Sequence, residues 1–244
     1  PIYKSFDGKP VKVEVTNYPD RYAVYEFLDS LPKEEKDEIF EFNLPKVYFV
    51  DIEVSQKPEG GYSEPVDAEC EVTSISVVYD DKIILMGLKD MPNDMQDRIK
   101  NKTNDYFKSL GTEYKFKYVK YDCEFDMLYA FFHNMVPKMP LITGWNFLNY
   151  DWTYLVNRTR RIKKVVNGRE ILIKPEISSP TGRLNKIWAT DYEIPAHRMI
   201  FDYMQLYEIC DTSIKVKESS SLDFVSGKLV GVDKIKYNQG SLQQ

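Results

Sequence analysis

Apolar and polar positions divide the chain into short strands followed by an alternation of helices and strands. Lys46–Val54, KVYFVDIEV, opens with the unbroken apolar run Val47–Val50 and predicts a strand emerging from a core. A Gly/Pro-rich turn, QKPEGGYSEP, follows it. Glu69–Leu88, ECEVTSISVVYDDKIILMGL, alternates and breaks at Asp80–Asp81, which predicts a β-hairpin. Helical patterns run near 92–109 and 122–135. In the second, Phe125, Leu128, Tyr129, Phe132 and Met135 recur at helical spacing and read as a core-facing stripe. Met139–Asn146, MPLITGWN, is a short apolar strand, and YDWTYLVNRTRRI reads as a helix starting near Asp151. KIWATDYEIPAHRMIFDYMQLY predicts a second hairpin leading into a helix, and KESSSLDFVSGKLVG begins a capped helix. Upstream, DSLPKEEKDEIFEF predicts a solvated helix with Ser30 as N-cap and Pro32 in its first turn. Strands in succession, then alternating helices and strands, imply an α/β mixed sheet flanked by helices.

Composition narrows the function classes. With 244 residues, 43 % hydrophobic and 14 % aromatic, the chain can bury a sizeable core. A net charge of −5, from 33 basic and 38 acidic residues, argues against a general cationic coat but leaves room for a local phosphate grip. Cys70, Cys123 and Cys210 have no paired spacing and suit reduced thiols in a cytoplasmic setting. Two histidines supply a zinc site poorly. No apolar run is long enough for a membrane span, so no membrane partner is expected. The chain begins at Pro1 without an initiator Met, and a piece of a longer protein is the expectation.

Asp51 and Glu53 carry the candidate chemistry. Residues i and i+2 of a strand share a face, which sets these two carboxylates about 7 Å apart along the chain. Their repulsion and lost hydration next to a core call for a cation, and a hard ion such as magnesium prefers oxygen ligands. The Asp-x-Glu pair alone is weak, since chance supplies about one in a chain of this length. Asp151 follows Asn146 at a strand-to-helix junction, where an N-cap is the plainer role. Together, the two elements point to a metal site. The stretch 158–174 has seven Lys/Arg against Glu170 alone, and reads either as a solvated helix end or as a phosphate-contacting edge.

DIEV, followed by ITGWN…YD…Y…NR, resembles the first two exonuclease motifs of family-B DNA polymerases, closest to the phage replicative branch. SPTGR (Ser179–Arg183), FDYMQLY (Phe201–Tyr207) and SSSLDFVSGKL…KIKYNQG (Ser219–Gly240) are similar to its linking segments, so the likeness covers residues 46 to 240. It implies a ribonuclease-H-like fold with a β-hairpin insertion, and removal of misincorporated nucleotides from a primer 3′ end. It further implies Asp51, Glu53 and Asp151 as catalytic ligands of two Mg2+ or Mn2+ ions. Asn146, Phe147, Tyr150 and Lys234 would lie near the DNA, with Phe147, Tyr150 and Trp152 as stacking candidates and core packing of at least two of them the plainer reading. Implied partners are single-stranded or frayed primer DNA, the polymerase module of the same chain and a sliding clamp through the full-length protein. The setting would be the host cytoplasm if phage-encoded.

The expected domains are 1–45, the end of an amino-terminal domain or a linker, and 46–244, the exonuclease domain. The family's third motif pairs a Tyr with an Asp four residues on. Tyr118–Asp122 has the wrong order, and Tyr207–Asp211 matches a linking segment instead. The third motif is therefore expected beyond Gln244, leaving this piece folded but slow or inactive. Two alternatives stand beside this: a complete stand-alone exonuclease using Asp211, and a non-catalytic DNA-binding or interdomain module.

Overall fold

The run Val47–Val54 forms strand β1 at the centre of a mixed sheet in the computed structural model, which describes residues 3–4, 10–11, 26–41, 45–108, 111–210, 219–229 and 231. The chain divides into two units, Pro1–Leu44 and Pro45–Gln244.

In the first unit, Tyr3–Lys4 pairs antiparallel with Pro10–Val11, and a helix spans Lys33–Phe40. Pro32, not Ser30, occupies its N-cap. Ser30 already ends a preceding helical stretch, where its hydroxyl donates to the Phe27 carbonyl at 2.6 Å. None of the Lys33–Phe40 side chains is buried, in keeping with its charge.

In the second unit β1 is followed by β2 (Val72–Tyr79), β3 (Lys82–Gly87), helix α1 (Asn93–Phe107), β4 (Lys115–Lys120), helix α2 (Glu124–Ala130) and β5 (Leu141–Thr143). Then come helix α3 (Thr153–Arg161), β6 (Lys163–Val166), β7 (Arg169–Leu172), β8 (Leu184–Lys186), β9 (Glu193–Pro195), β10 (Met199–Ile200), α4 (Tyr203–Cys210) and α5 (Leu222–Leu229). The six-stranded sheet has the order β10-β5-β1-β2-β3-β4. β1, β2 and β3 run antiparallel as a meander, turning at Asp80–Asp81 as the alternation implied. β5 and β10 join parallel on one side and β4 parallel on the other.

One face of the sheet is the core. Val50, Ile52, Ile75, Val77, Met86 and Ile142 pack against Leu128, Phe131, Phe132, Trp152 and Leu155. Each such side chain contributes about 1.5–3 kcal/mol. The helical stripe behaves as expected at Phe125, Leu128 and Phe132. Tyr129 instead lies 38 % exposed and Phe131 is fully buried. Glu124, Phe125, Met127, Leu128, Phe131 and Phe132 keep the helical period with Tyr129 on the opposite face, and the backbone widens into a π turn, Phe131–Met135, only after Ala130.

Among the described residues of this unit, two hairpins stand outside the sheet. β8 pairs with β9, so the second predicted hairpin starts at Leu184, while Met199–Ile200 joins the central sheet instead. The basic stretch after α3 is also a hairpin, β6–β7, turning through Asn167 and Gly168 at φ 51° and 74°. Asn-Gly is the pair that such a two-residue turn demands. Ser221 caps α5, its hydroxyl accepting the Phe224 N–H at 3.3 Å. No helix among the described residues is long and apolar enough to cross a membrane.

The loop between β1 and β2 is held by α3. The Tyr154 hydroxyl donates to the Cys70 carbonyl at 2.7 Å and accepts its N–H at 3.0 Å, and Asn157 Nδ2 donates to the Pro65 carbonyl. Arg158 forms a two-pronged ion pair with Glu124, both contacts 2.8 Å, while its Nη1 donates to the Ala68 and Glu69 carbonyls. Glu124 also accepts the Val72 N–H at 2.6 Å. With both side chains largely buried, losing one partner strands the other. Arg158→Leu is expected to cost about 3–5 kcal/mol in urea unfolding, and adding Glu124→Leu should recover part of that loss.

Candidate active site

Strand periodicity places Asp51 and Glu53 on the exposed face of β1, while Val50 and Ile52 point into the core. Ser76 and Ser74 of β2 lie opposite them in register. The ladder slips between Glu53 and Val54, and such bulges end regular pairing near functional residues.

On its other side β1 is paired only briefly. Val47–Phe49 match Leu141–Thr143, after which β5 ends. Gly144 then crosses so close that a Cβ there would lie 2.5 Å from the Val50 carbonyl oxygen. Asn146 takes the left-handed conformation, φ 57°, and a π turn, Leu148–Trp152, leads into α3. The Trp152 N–H donates to the Phe147 carbonyl at 2.8 Å, five residues back, and the Thr153 hydroxyl donates to the Leu148 carbonyl at 2.7 Å.

This turn carries Asp151 inward to 5 % exposure, where its Oδ1 accepts the Ile52 N–H at 3.0 Å. Asp151 is therefore not the N-cap its position in the sequence implied. Asp202, 2 % exposed, caps the turn instead, its Oδ2 accepting the Leu148 N–H at 3.0 Å. Sequence reasoning passed over Asp202, although an Asp between an apolar strand and a helix is an N-cap signal. Burial, followed by the nearby Asp51 charge, pushes the Asp151 carboxyl up to about 8, against the smaller opposing effect of the Ile52 N–H.

The structure thus brings Asp51 and Asp151 into electrostatic contact across the end of β5. Glu53 shares the face of Asp51, yet among the described residues no group of three Asp, Glu, His or Cys side chains comes close enough to hold a metal ion. The pair itself suits a hard divalent ion. Its donors are oxygens only, and a cation would offset both the burial and the Asp51 charge that push the Asp151 carboxyl up.

The other expected contacts separate clearly. Phe147 is 0 % exposed and packs in the core against Trp152, so its side chain is closed to a base and that expectation is corrected. Trp152 is buried too, its Nε1 donating to the Glu193 carbonyl at 2.8 Å. Tyr150 is half-buried and stacks on Tyr154 with centroids 5.7 Å apart, and burial pushes its phenol up to about 12. Asn146 Oδ1 accepts a hydrogen bond from Asn149. Lys234 and Asp211 lie outside the described residues. Four cations of the basic stretch are engaged by acids: Arg158 with Glu124, Arg160 with Glu193, Lys163 with Glu170 and Lys164 with Asp126.

A sequence model of the exonuclease domain of DNA polymerase family B matches residues 22–225. The chain belongs to this family. Comparison with curated proteins gave no match. The six-stranded mixed sheet flanked by helices is the ribonuclease-H-like architecture of a family-B exonuclease domain. Such a domain acts as a hydrolase on DNA.

The buried carboxyl makes the stability of this exonuclease domain depend on pH. Below the ordinary carboxylate value, about 3.9, both folded and unfolded states carry the proton. Between there and about 8 the unfolded chain has released it while Asp151 retains it. Stability is therefore lost as pH rises through that window. Asp151→Asn keeps an acceptor for Ile52 and should flatten this dependence, melting above the parent at pH 9 and with it at pH 4, as followed by circular dichroism. Without the substitution, Mg2+ should raise the melting temperature more at pH 9 than at pH 5.

Proposed function

We propose that this chain is the proofreading 3′→5′ exonuclease of a family-B DNA polymerase of the phage replicative branch, with Asp51, Glu53 and Asp151 as its metal-binding catalytic carboxylates. The observation that carries the reading is the pairing of Asp51 and Asp151, residues from the two motifs, where β1 outruns β5. Divalent ions held there would activate a water and neutralise the leaving 3′ oxygen in phosphodiester hydrolysis.

The side chains do the positioning. Asp151, tied to Ile52, is held in one orientation. Asp51 and Glu53 face outward from a strand whose opposite face is locked in the core, so neither can turn away without unpacking Val50 and Ile52. A further carboxylate would be needed to complete the set, and Asp211 would supply it only in the alternative of a stand-alone exonuclease. Half-buried Tyr150 offers a ring edge beside Asp151 to an unpaired base, and Asn146 shapes the turn beneath it, with Lys234 kept as a further DNA-binding candidate. The substrate is the single-stranded or frayed 3′ end of a primer delivered by the polymerase module, with a sliding clamp engaged through the whole protein. The residue boundary near 45 separates this domain from an amino-terminal one.

Because only a pair of acids meets among the described residues, a non-catalytic DNA-binding module is the competing reading. A 5′-labelled single-stranded oligonucleotide in Mn2+ decides between them. The expected result is slow stepwise shortening from the 3′ end, abolished by EDTA and reduced by about 100-fold or more in Asp51→Ala, since these ligands act only on the reaction. DNA binding unaffected by EDTA, with no shortening and with Mn2+ affinity unchanged in Asp51→Ala, would favour the competing module. Cleavage undiminished in Asp51→Ala would overturn the site, and loss in Asp211→Ala would identify the further ligand.

A further inference from the structure

Asp202 spends its two oxygens on different elements. Oδ1 accepts the Met204 N–H at 2.9 Å and caps α4, its own helix. Oδ2 accepts the Leu148 N–H at 3.0 Å, 54 residues earlier in the chain. Capping α4 needs only one oxygen, which serine or asparagine could supply. The second oxygen fixes the first residue of the π turn, and it does so beside an apolar cleft of about 300 Å3 walled by Leu148, Ile200, Phe201 and Leu206. Water is a poor substitute for a carboxylate on that side.

The consequence runs through the turn. Leu148 is held at both its polar groups, by Asp202 at the N–H and by the Thr153 hydroxyl at the carbonyl. Those two bonds, with Trp152 N–H to Phe147 carbonyl, set the wide register of the turn. The register in turn sets which residue faces β1. In a regular helix of 3.6 residues per turn the same positions would be rotated relative to Ile52. We propose that Asp202 is a positioning residue of the exonuclease site: it locks the π turn in the register that carries the Asp151 carboxylate to the Ile52 N–H and so to Asp51. The part of this concerning ions rests on the reading of Asp151 as a ligand.

Asp202→Ser tests it, because serine still caps α4 but is too short to reach Leu148. Two quantities are read on the whole chain: amide exchange at Ile52 by NMR, relative to the β2–β3 ladder, and Mn2+ affinity by titration with the metal alone. The expected result is exchange at Ile52 faster by about tenfold, one hydrogen bond's worth, with the β2–β3 ladder unchanged. Mn2+ binding should weaken by about 10–100-fold, the usual effect of removing a group that orients a ligand. A merely structural cap would accelerate all these amides together and leave the affinity of the folded molecules alone, and that result overturns the inference. Should circular dichroism show Asp202→Ser unfolded, Asp202→Asn is read by the same two criteria. Asp151→Asn keeps the failures apart: if it binds Mn2+ as the parent does, the ligand reading falls, while exchange at Ile52 in Asp202→Ser still decides the positioning.

Discussion

The hydrogen bond from the Ile52 N–H to Asp151 Oδ1 is the contact on which the site depends. β5 pairs with β1 over three residues only, so β1 continues past it with backbone groups that need partners. Gly144 lets the departing chain graze the Val50 carbonyl, and a carboxylate takes over where the strand left off. The same bond that satisfies the backbone draws Asp151 out of water and toward Asp51. A structural need and a chemical one are thereby met by one side chain, at the cost of burying a carboxyl beside a second acid.

Helix α3 extends this arrangement in the other direction. Its approach turn carries Asp151, and its body grips the loop that follows the other two acids, through Tyr154, Asn157 and Arg158. Glu193 holds the same helix from the far side, by its carbonyl to Trp152 and its carboxylate to Arg160. Both halves of the site are thus referred to one rigid element, as a site with exacting geometry requires.

The basic stretch illustrates how charge counted along a chain differs from charge presented to a ligand. Its arginines and lysines form a dense positive run in sequence, yet four of them meet acids drawn from α2, β7 and β9. Among the described residues Arg161, Arg169 and Lys174 form no ion pair, and these hold what local positive field remains. Under the proposed reading, a nucleic-acid strand would be drawn to cations held by the carboxylates rather than to this stretch.

Much of the fold was legible along the chain because the relevant forces are local. An unbroken apolar run placed β1, alternation placed the β2–β3 hairpin, an Asp-Asp break set its turn, and the shared face of Asp51 and Glu53 follows from a strand period of two. The Asn-Gly turn of the β6–β7 hairpin was equally legible, although the basic residues around it drew the reading toward a helix end. Other features have no local signature. Asp151 looks like a helix cap from its neighbours, and only the contact with Ile52, 99 positions away, shows that it is buried within a turn. Phe147 reads as an aromatic beside an acid, and the core decides that it faces inward. Asp202 reveals its second oxygen's task only when α4 and the π turn are brought together. The sequence by itself determined which residues could form strands and bear the acids, since period and residue type are properties of neighbours. Which acids meet, and which are deprived of water, was decided by the tertiary structure, because burial and charge proximity belong to residues distant along the chain.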